Sequence, residues 1–426
     1  MFKALLRALC TRRAPAAAPP PVAVAAARPP LAPPPEPPPS AEPCPADTIV
    51  ELSACPVCGG SERTLVCRFN RFAIYEQPPD RHAGIYNYSL CHDCGMVYAA
   101  RRPAGARYDW LFEHFEATLG RAEIEGDGAG KLAISSRALS DERRERLRRL
   151  AARGVFVSEH LGLSRKDYLP ALFRDRAANS IHVDVIGSLI DLKAPRVLEL
   201  RSRLGTIPAA LKRLYGADSH AMAIFESQQF LIQEVYGIPA AWPIDFQHFT
   251  IAFEGQFDLI IANYMLTHVH RPAEFLSELH SRLSPGGYLY LYNETDEGDF
   301  LERGKAMIGA LNPFHFQTFD RASMVRALAL HGFTTEYLVL HDGAYICLAK
   351  KHAQAVPWTP LGGHERADRL AAYRRAWDIS VIRMPEHARW QVAGEWDAVV
   401  ERTVAAGVAR ITKQGEVRLA GKHGPV

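Results

Sequence analysis

No apolar run in the 426 residues approaches the roughly 18 that a membrane-crossing helix needs. That excludes a transmembrane helix within this sequence. Charge of one sign is also scarce. Fifty Lys and Arg against 47 Asp and Glu leave a net charge of +3, too weak a field to argue for nucleic acid. Cysteine is sparse: eight in all, which excludes a small disulfide-stapled secreted scaffold and fits a reducing, cytoplasmic compartment. There is no internal repeat. The length itself suggests two or three domains with ample core.

The first residues, MFKALLRALCTRR, are basic and amphipathic, and residues 14–45 then hold 14 of the chain's 30 prolines. A Pro/Ala stretch of this kind cannot build a core. Residues 1–48 read as a disordered leader whose basic tip can rest weakly on a membrane surface. The tip lacks the Ser of a transit peptide.

Four cysteines stand in two pairs, CPVCGG (Cys55, Cys58) and CHDCGMVY (Cys91, Cys94), with the spacing C-x2-C-x32-C-x2-C. Each C-x-x-C turn brings two sulfurs to one metal, and four thiolates satisfy a tetrahedral zinc. With all four positions taken by Cys, such a zinc is structural. Gly59 and Gly95 follow the second cysteine of each pair, where the knuckle turns back with positive φ. Cys67 and His92 are the other candidate ligands nearby and are read as lying outside this set. The module spans 49–105. Residues 106–194 read as a mostly helical linker or lid, with a highly charged helix over 141–153.

From residue 195 short apolar strands alternate with amphipathic helices, the signature of parallel βαβ units. Strands fall at 196–200, 220–225, 257–262, 286–292, 333–340 and 344–349. Helices fall near 206–214, 227–236, 272–283 and 320–331. The last two strands are joined by HDGA and so form an antiparallel hairpin. Residues 351–426 form a tail with helices at 364–377 and 393–408.

The stretch Phe257 to Glu294 is the most informative. A strand ends at Asn263, a helix carries Phe275, Leu276, Leu279 and Leu283 at helical spacing, and Pro285-Gly286-Gly287 turns into the next strand. This resembles the class I S-adenosylmethionine-dependent methyltransferases, as does HFQTFDRASMVRALALHGFTTEYL from His315. The resemblance covers about 195–350. The cysteine module before it looks like that of a branch that includes sugar C-methyltransferases. The fold it implies is α/β: a Rossmann-like seven-stranded sheet with an N-terminal four-cysteine zinc module and a helical C-terminal tail.

The resemblance also implies a cofactor, S-adenosylmethionine, and residues to hold it. Glu199 matches the acid ending strand one, and Gly205 matches the last glycine of the following loop. Arg201 and Arg203 stand at the loop's first two glycine positions, a departure from the pattern. Phe225 stands where the ribose-binding acid is usual, with Glu226 one residue later and Gln228 beyond. Asp245 matches an acid facing the adenine amine, and Asn263 lies near the transferred methyl. Three arrangements of the arginines remain open: both point outward, one pairs with a ligand carboxylate or phosphate, or the cofactor site is lost. A second positive charge about 7 Å from the sulfonium costs roughly 2 kcal/mol, comparable to one charged hydrogen bond, so electrostatics does not choose among them.

Methyl transfer needs alignment and often a base. His268, Glu294 and His315 are the catalytic candidates, with Tyr264 and Asn293 nearby, while His270 beside Arg271-Pro272 reads as exposed. The leading function is methyl transfer to a small molecule, a sugar nucleotide or glycan-related compound by analogy alone. The alternative is a pseudoenzyme that keeps the fold and binds a partner. A nucleic-acid-modifying enzyme is a third reading, against which the small net charge counts.

Overall fold

The structure is a computed structural model. It describes residues 49–70, 85–112, 123–125, 131–133, 181–191, 193–294, 314–341, 344–354, 356–383, 396–411 and 417–420. The leader and the charged stretch 141–153 lie outside these residues. Among the described residues no helix is long and apolar enough to cross a membrane.

Two sheets organise the molecule. The first begins with β1 (Ile49–Glu51), β2 (Arg63–Asn70), β3 (Ile85–Cys91) and β4 (Val97–Pro103), antiparallel in the order β1-β4-β3-β2. A short helix α1 (Gly105–Leu111) follows. The stretch expected to be mostly helical then holds a small hairpin, β5 (Glu123–Glu125) with β6 (Lys131–Ala133), before a helix, α2, over 181–189.

The second sheet is built from β7 (Arg196–Leu200), β8 (Asp218–Met222), β9 (Ala240–Ala241), β10 (Phe257–Asn263), β11 (Leu283–Glu294), β13 (Phe333–His341) and β14 (Ala344–Lys351). Its order is β13-β14-β11-β10-β7-β8-β9. All pairs are parallel except those of β14, which runs antiparallel to both β11 and β13. The expected hairpin is therefore present, and the sheet has its seven strands. The seventh is β9, two residues long and too short to give an alternating pattern. The strand order reverses between β7 and β10, and in open α/β sheets the crevice at such a switch point, beyond the strands' carboxyl ends, receives ligands.

Central strands read as continuous apolar runs because helices cover both faces. Leu259, Ile260, Ile261 and Ala262 of β10 are all buried, as are Val197, Leu198 and Leu200 of β7. Each large aliphatic side chain so buried contributes about 1.5–3 kcal/mol. The helices between strands are α3 (Thr206–Tyr215), α4 (Glu226–Tyr236), α5 (Met265–His268), α6 (Pro272–Arg282) and α7 (Arg321–Leu330). Pro272 opens α6, where its missing N–H costs nothing. Asp320 caps α7, its side chain accepting from the Ser323 N–H at 2.7 Å. Gly216 ends α3 in the left-handed conformation.

Three elements differ from expectation. Strand two ends at Met222 rather than 225, because Phe225 is already the N-cap of α4. Pro285-Gly286-Gly287 does not separate a helix from a strand. It lies inside β11 as a bulge, where the register jumps from Phe257↔Leu283 to Leu259↔Tyr288 and Gly286 takes φ +75°. Between β11 and β13 lies β12 (Gln317–Thr318), which leaves the large sheet and pairs antiparallel with β4 of the first one. The tail holds α8 (Gly363–Arg383), α9 (Trp396–Ala405) and a small hairpin, β15 (Ala409–Ile411) with β16 (Val417–Leu419). Arg369 of α8 donates to the Gly95 carbonyl and pairs with Asp320, so the tail clasps both the cysteine module and α7.

Candidate functional site

The four cysteines converge. The sulfurs of Cys55, Cys58, Cys91 and Cys94 all lie within 4.8 Å of one another. Cys55 and Cys94 are 3.7 Å apart, and Cys58 and Cys91 are 3.5 Å apart. A tetrahedron with zinc–sulfur bonds of about 2.3 Å requires sulfur separations near 3.8 Å, so the set fits zinc. Both knuckles close as expected: Gly59 and Gly95 have φ of +75° and +76°, and their N–H groups donate to the Cys55 and Cys91 carbonyls. Cys67 and His92 stand aside; His92 is occupied by Thr64 and Glu62.

At the switch point, Glu199 ends β7 and is buried. Ser202 donates to one of its carboxylate oxygens and Tyr292 Oη to the other at 3.0 Å. Arg201, which follows the strand, has φ +56°. An arginine thus holds the left-handed turn that glycine would adopt freely, at a cost of about 1–2 kcal/mol. Its side chain reaches across to the end of strand β10, donating to the Tyr264 carbonyl at 3.3 Å with its guanidinium 5.5 Å from the Tyr264 ring centre. Arg201 thereby bridges the carboxyl ends of β7 and β10. Arg203 is exposed. Gly205 has φ +71°, and a Cβ there would stand 2.9 Å from Ile232 Cγ1 of α4. That glycine answers to helix packing.

Beyond β8, Phe225 is buried and Gln228 turns back to accept from the Ile224 and Phe225 N–H groups. Gln228 is thereby committed to capping. Glu226, in the first turn of α4, is half-buried. Asp245 is exposed, and one of its oxygens accepts from the Gln247 and His248 N–H groups at 2.7 and 3.0 Å. Asn263 is buried at the end of β10.

The three catalytic candidates gather around α5. The His268 and His315 rings meet edge to face at 4.7 Å, and Tyr264 stacks on His315 at 5.7 Å. Glu294 is 0% exposed. Its Oε1 accepts from Leu266 N at 2.9 Å and its Oε2 from Thr267 N at 3.2 Å, which caps the helix bearing His268. Burial pushes its carboxyl up to about 7, against the opposing pull of those N–H groups and of Arg201. His270, read as exposed, is instead buried, because the rings of Tyr108 and Phe316 close edge-on around it, each at 4.5 Å.

Sequence reasoning missed what positions His315. The residue after it, Phe316, donates through N–H to the Thr267 carbonyl at 2.8 Å and accepts from the Ala99 N–H of β4 at 2.6 Å. Tyr88 Oη of β3 donates to the His315 carbonyl at 3.2 Å, and Gln317 Nε2 donates to the Leu266 and Val269 carbonyls. The cysteine module therefore holds one side of the histidine pair. The only sequence trace of this weld was the alternation HFQTF, too short to read as a strand.

Residues 162–338 match a family model described as "Methyltransferase domain". This match overlaps the part of the chain where the sequence resembles the methyltransferases. Solved structures similar to the chain include magnesium protoporphyrin IX methyltransferase from Synechocystis PCC 6803 with bound S-adenosylhomocysteine, at 19% identity, covering 42% of this chain and 85% of that one, with a TM-score of 0.32. Another is an S-adenosylmethionine-dependent methyltransferase from Mesorhizobium loti, at 15% identity, 42% and 99% coverage and a TM-score of 0.33. A third is a glycopeptide N-methyltransferase complexed with S-adenosylhomocysteine, at 12% identity, 43% and 98% coverage and a TM-score of 0.32. No curated protein sequence matches.

Proposed function

We propose that the protein is an S-adenosylmethionine-dependent methyltransferase acting on a small molecule of the sugar-nucleotide or glycan-related class. The observation that carries this reading is the loop after β7. Its glycine pattern is broken in sequence, yet Arg201 adopts the left-handed turn and Glu199 sits buried and hydrogen-bonded at the strand end. Of the departures that favour a pseudoenzyme, the first is thus met by the backbone of Arg201.

When bound, S-adenosylmethionine supplies an electrophilic methyl group. The chain's own residues bind and align. Glu199 fixes the loop through Ser202, and Arg201 offers a guanidinium to the cofactor's carboxylate. Glu226 and Asp245 are the acids available to the ribose and the adenine amine, and Asn263 lies at the mouth of β10. His315 takes the acceptor's proton or orients its lone pair, with His268 packed against it. Glu294 is a positioning residue, since it acts by capping the helix that carries His268. A zinc held by Cys55, Cys58, Cys91 and Cys94 would rigidify the module that fixes His315.

The test is incubation of the zinc-loaded chain with methyl-labelled S-adenosylmethionine and a panel of sugar nucleotides and free sugars. Label in a product that His315→Ala fails to form supports the reading. Label in no product, from protein shown to bind the cofactor, contradicts the substrate class.

A further inference from the structure

A cavity of about 430 Å³ lies between the cysteine module and the start of α6. None of its lining residues belongs to the histidine pair or the loop after β7. Val50, Leu52 and Pro56 make one apolar wall, and Ala104 and Ala273 another. The charged and titratable lining is mostly basic: Arg102, His248, His270 and Arg271, against Glu274. Glu274 is exposed and already pairs with Arg271 at 3.2 Å.

Arg102 is the anomaly. It is 3% exposed, yet it forms no ion pair with a described carboxylate. One nitrogen donates to the His270 carbonyl, and the guanidinium lies 5.0 Å from the centre of the Phe316 ring. Among the described residues its Nε and Nη1 have no hydrogen-bond partner, and neither has Nε2 of His270, which is 5% exposed. A buried charge and buried donors persist when something satisfies them. Arginine stays charged even so, since burial brings Arg102 down only to about 10.

We propose that this cavity binds a phosphate-bearing small molecule, whose oxygens pair with the Arg102 guanidinium while its organic part fills the apolar walls. The fork of an arginine matches phosphate oxygens two at a time. Burial and the neighbouring Arg102 hold the His270 imidazole neutral, so it serves as a hydrogen-bond partner, while Arg271 beside Arg102 favours a dianion over a carboxylate. The volume exceeds what a bare phosphate fills, so the natural ligand carries an organic body. The site is separate from the methyl-transfer mouth, and its test needs no cofactor, so the two readings fail independently.

Inorganic phosphate is the probe, titrated into the full zinc-loaded chain at low ionic strength and followed by calorimetry and phosphorus resonance. Saturable binding to one site is expected. Arg102→Met should weaken it about tenfold or more, the loss of one charged pair. Glu274→Gln, at the surface, should strengthen it about twofold or more by removing a repelling charge, and it keeps the test open if Arg102→Met does not fold. Acetate should bind more weakly than phosphate. The proposal is overturned by the absence of saturable phosphate binding in the millimolar range. It is also overturned by an Arg102→Met variant that binds as well as the parent, or by acetate binding equal to that of phosphate.

Discussion

Glu294→Gln isolates the energetic cost of a buried carboxylate beneath the helix that carries His268. The group is fully buried and its carboxyl stands near 7, against an ordinary value of 4.5. Below 4.5 both folded and unfolded chains hold the proton, and the group carries no penalty. As pH rises from 4.5 to 7 the unfolded chain releases the proton while the folded chain keeps it, so the folded state loses stability. Above 7 the full penalty stands, roughly 3 kcal/mol. Of this, about 2 kcal/mol accrues between pH 5.5 and 8. Glutamine does not ionise, but it offers one acceptor oxygen where Leu266 and Thr267 supply two N–H donors. Losing one of these acceptors costs about 1–3 kcal/mol when the parent's carboxyl is ionised, and less when it is protonated. The stability difference between variant and parent therefore moves by about 2 kcal/mol in the variant's favour from pH 5.5 to 8. Denaturant unfolding of both proteins with zinc present reads this difference, and other titrating groups cancel in it. A stability difference that stays constant from pH 5.5 to 8 would refute the reasoning.

The loop and the module give three further tests. Gly205→Ala places a Cβ 2.9 Å from Ile232 Cγ1 at φ +71°, and thermal unfolding should show a loss of about 1–3 kcal/mol; an unchanged melting temperature would mean that α3 and α4 can move apart. Cys94→Ser should lose stoichiometric zinc by metal analysis and speed amide exchange in β4 and β12, because the module's sheet includes the strand after His315. Unchanged exchange there would separate the metal from the site. Arg201→Glu should weaken S-adenosylhomocysteine about tenfold or more, the loss of a charge-assisted pair with the ligand carboxylate. Unchanged affinity would assign the guanidinium to Tyr264 alone.

Much of the fold was legible because its strands are long, buried and separated by helical periods. Phe257–Asn263 and Arg196–Leu200 could hardly be anything else, and the C-x-x-C pairs state their own geometry. Two-residue strands carry no period, so Ala240–Ala241 and Gln317–Thr318 were invisible. The burial of His270 was equally hidden, since Tyr108 and Phe316 reach it from far along the chain. Sequence made Glu294 a catalytic candidate, and in the structure it is buried, with its two oxygens serving a helix terminus. Arg201 is the instructive case. Its letter breaks the glycine pattern, while its backbone takes the left-handed conformation that glycine adopts freely.

The central claim is that the crevice beyond β7 and β10 holds S-adenosylmethionine despite Arg201. Calorimetric titration of the full, zinc-loaded chain with S-adenosylmethionine and S-adenosylhomocysteine tests it most directly. The account predicts saturable, one-to-one binding of both ligands in the micromolar range. Folded protein that gives no heat with either ligand at millimolar concentration would contradict it.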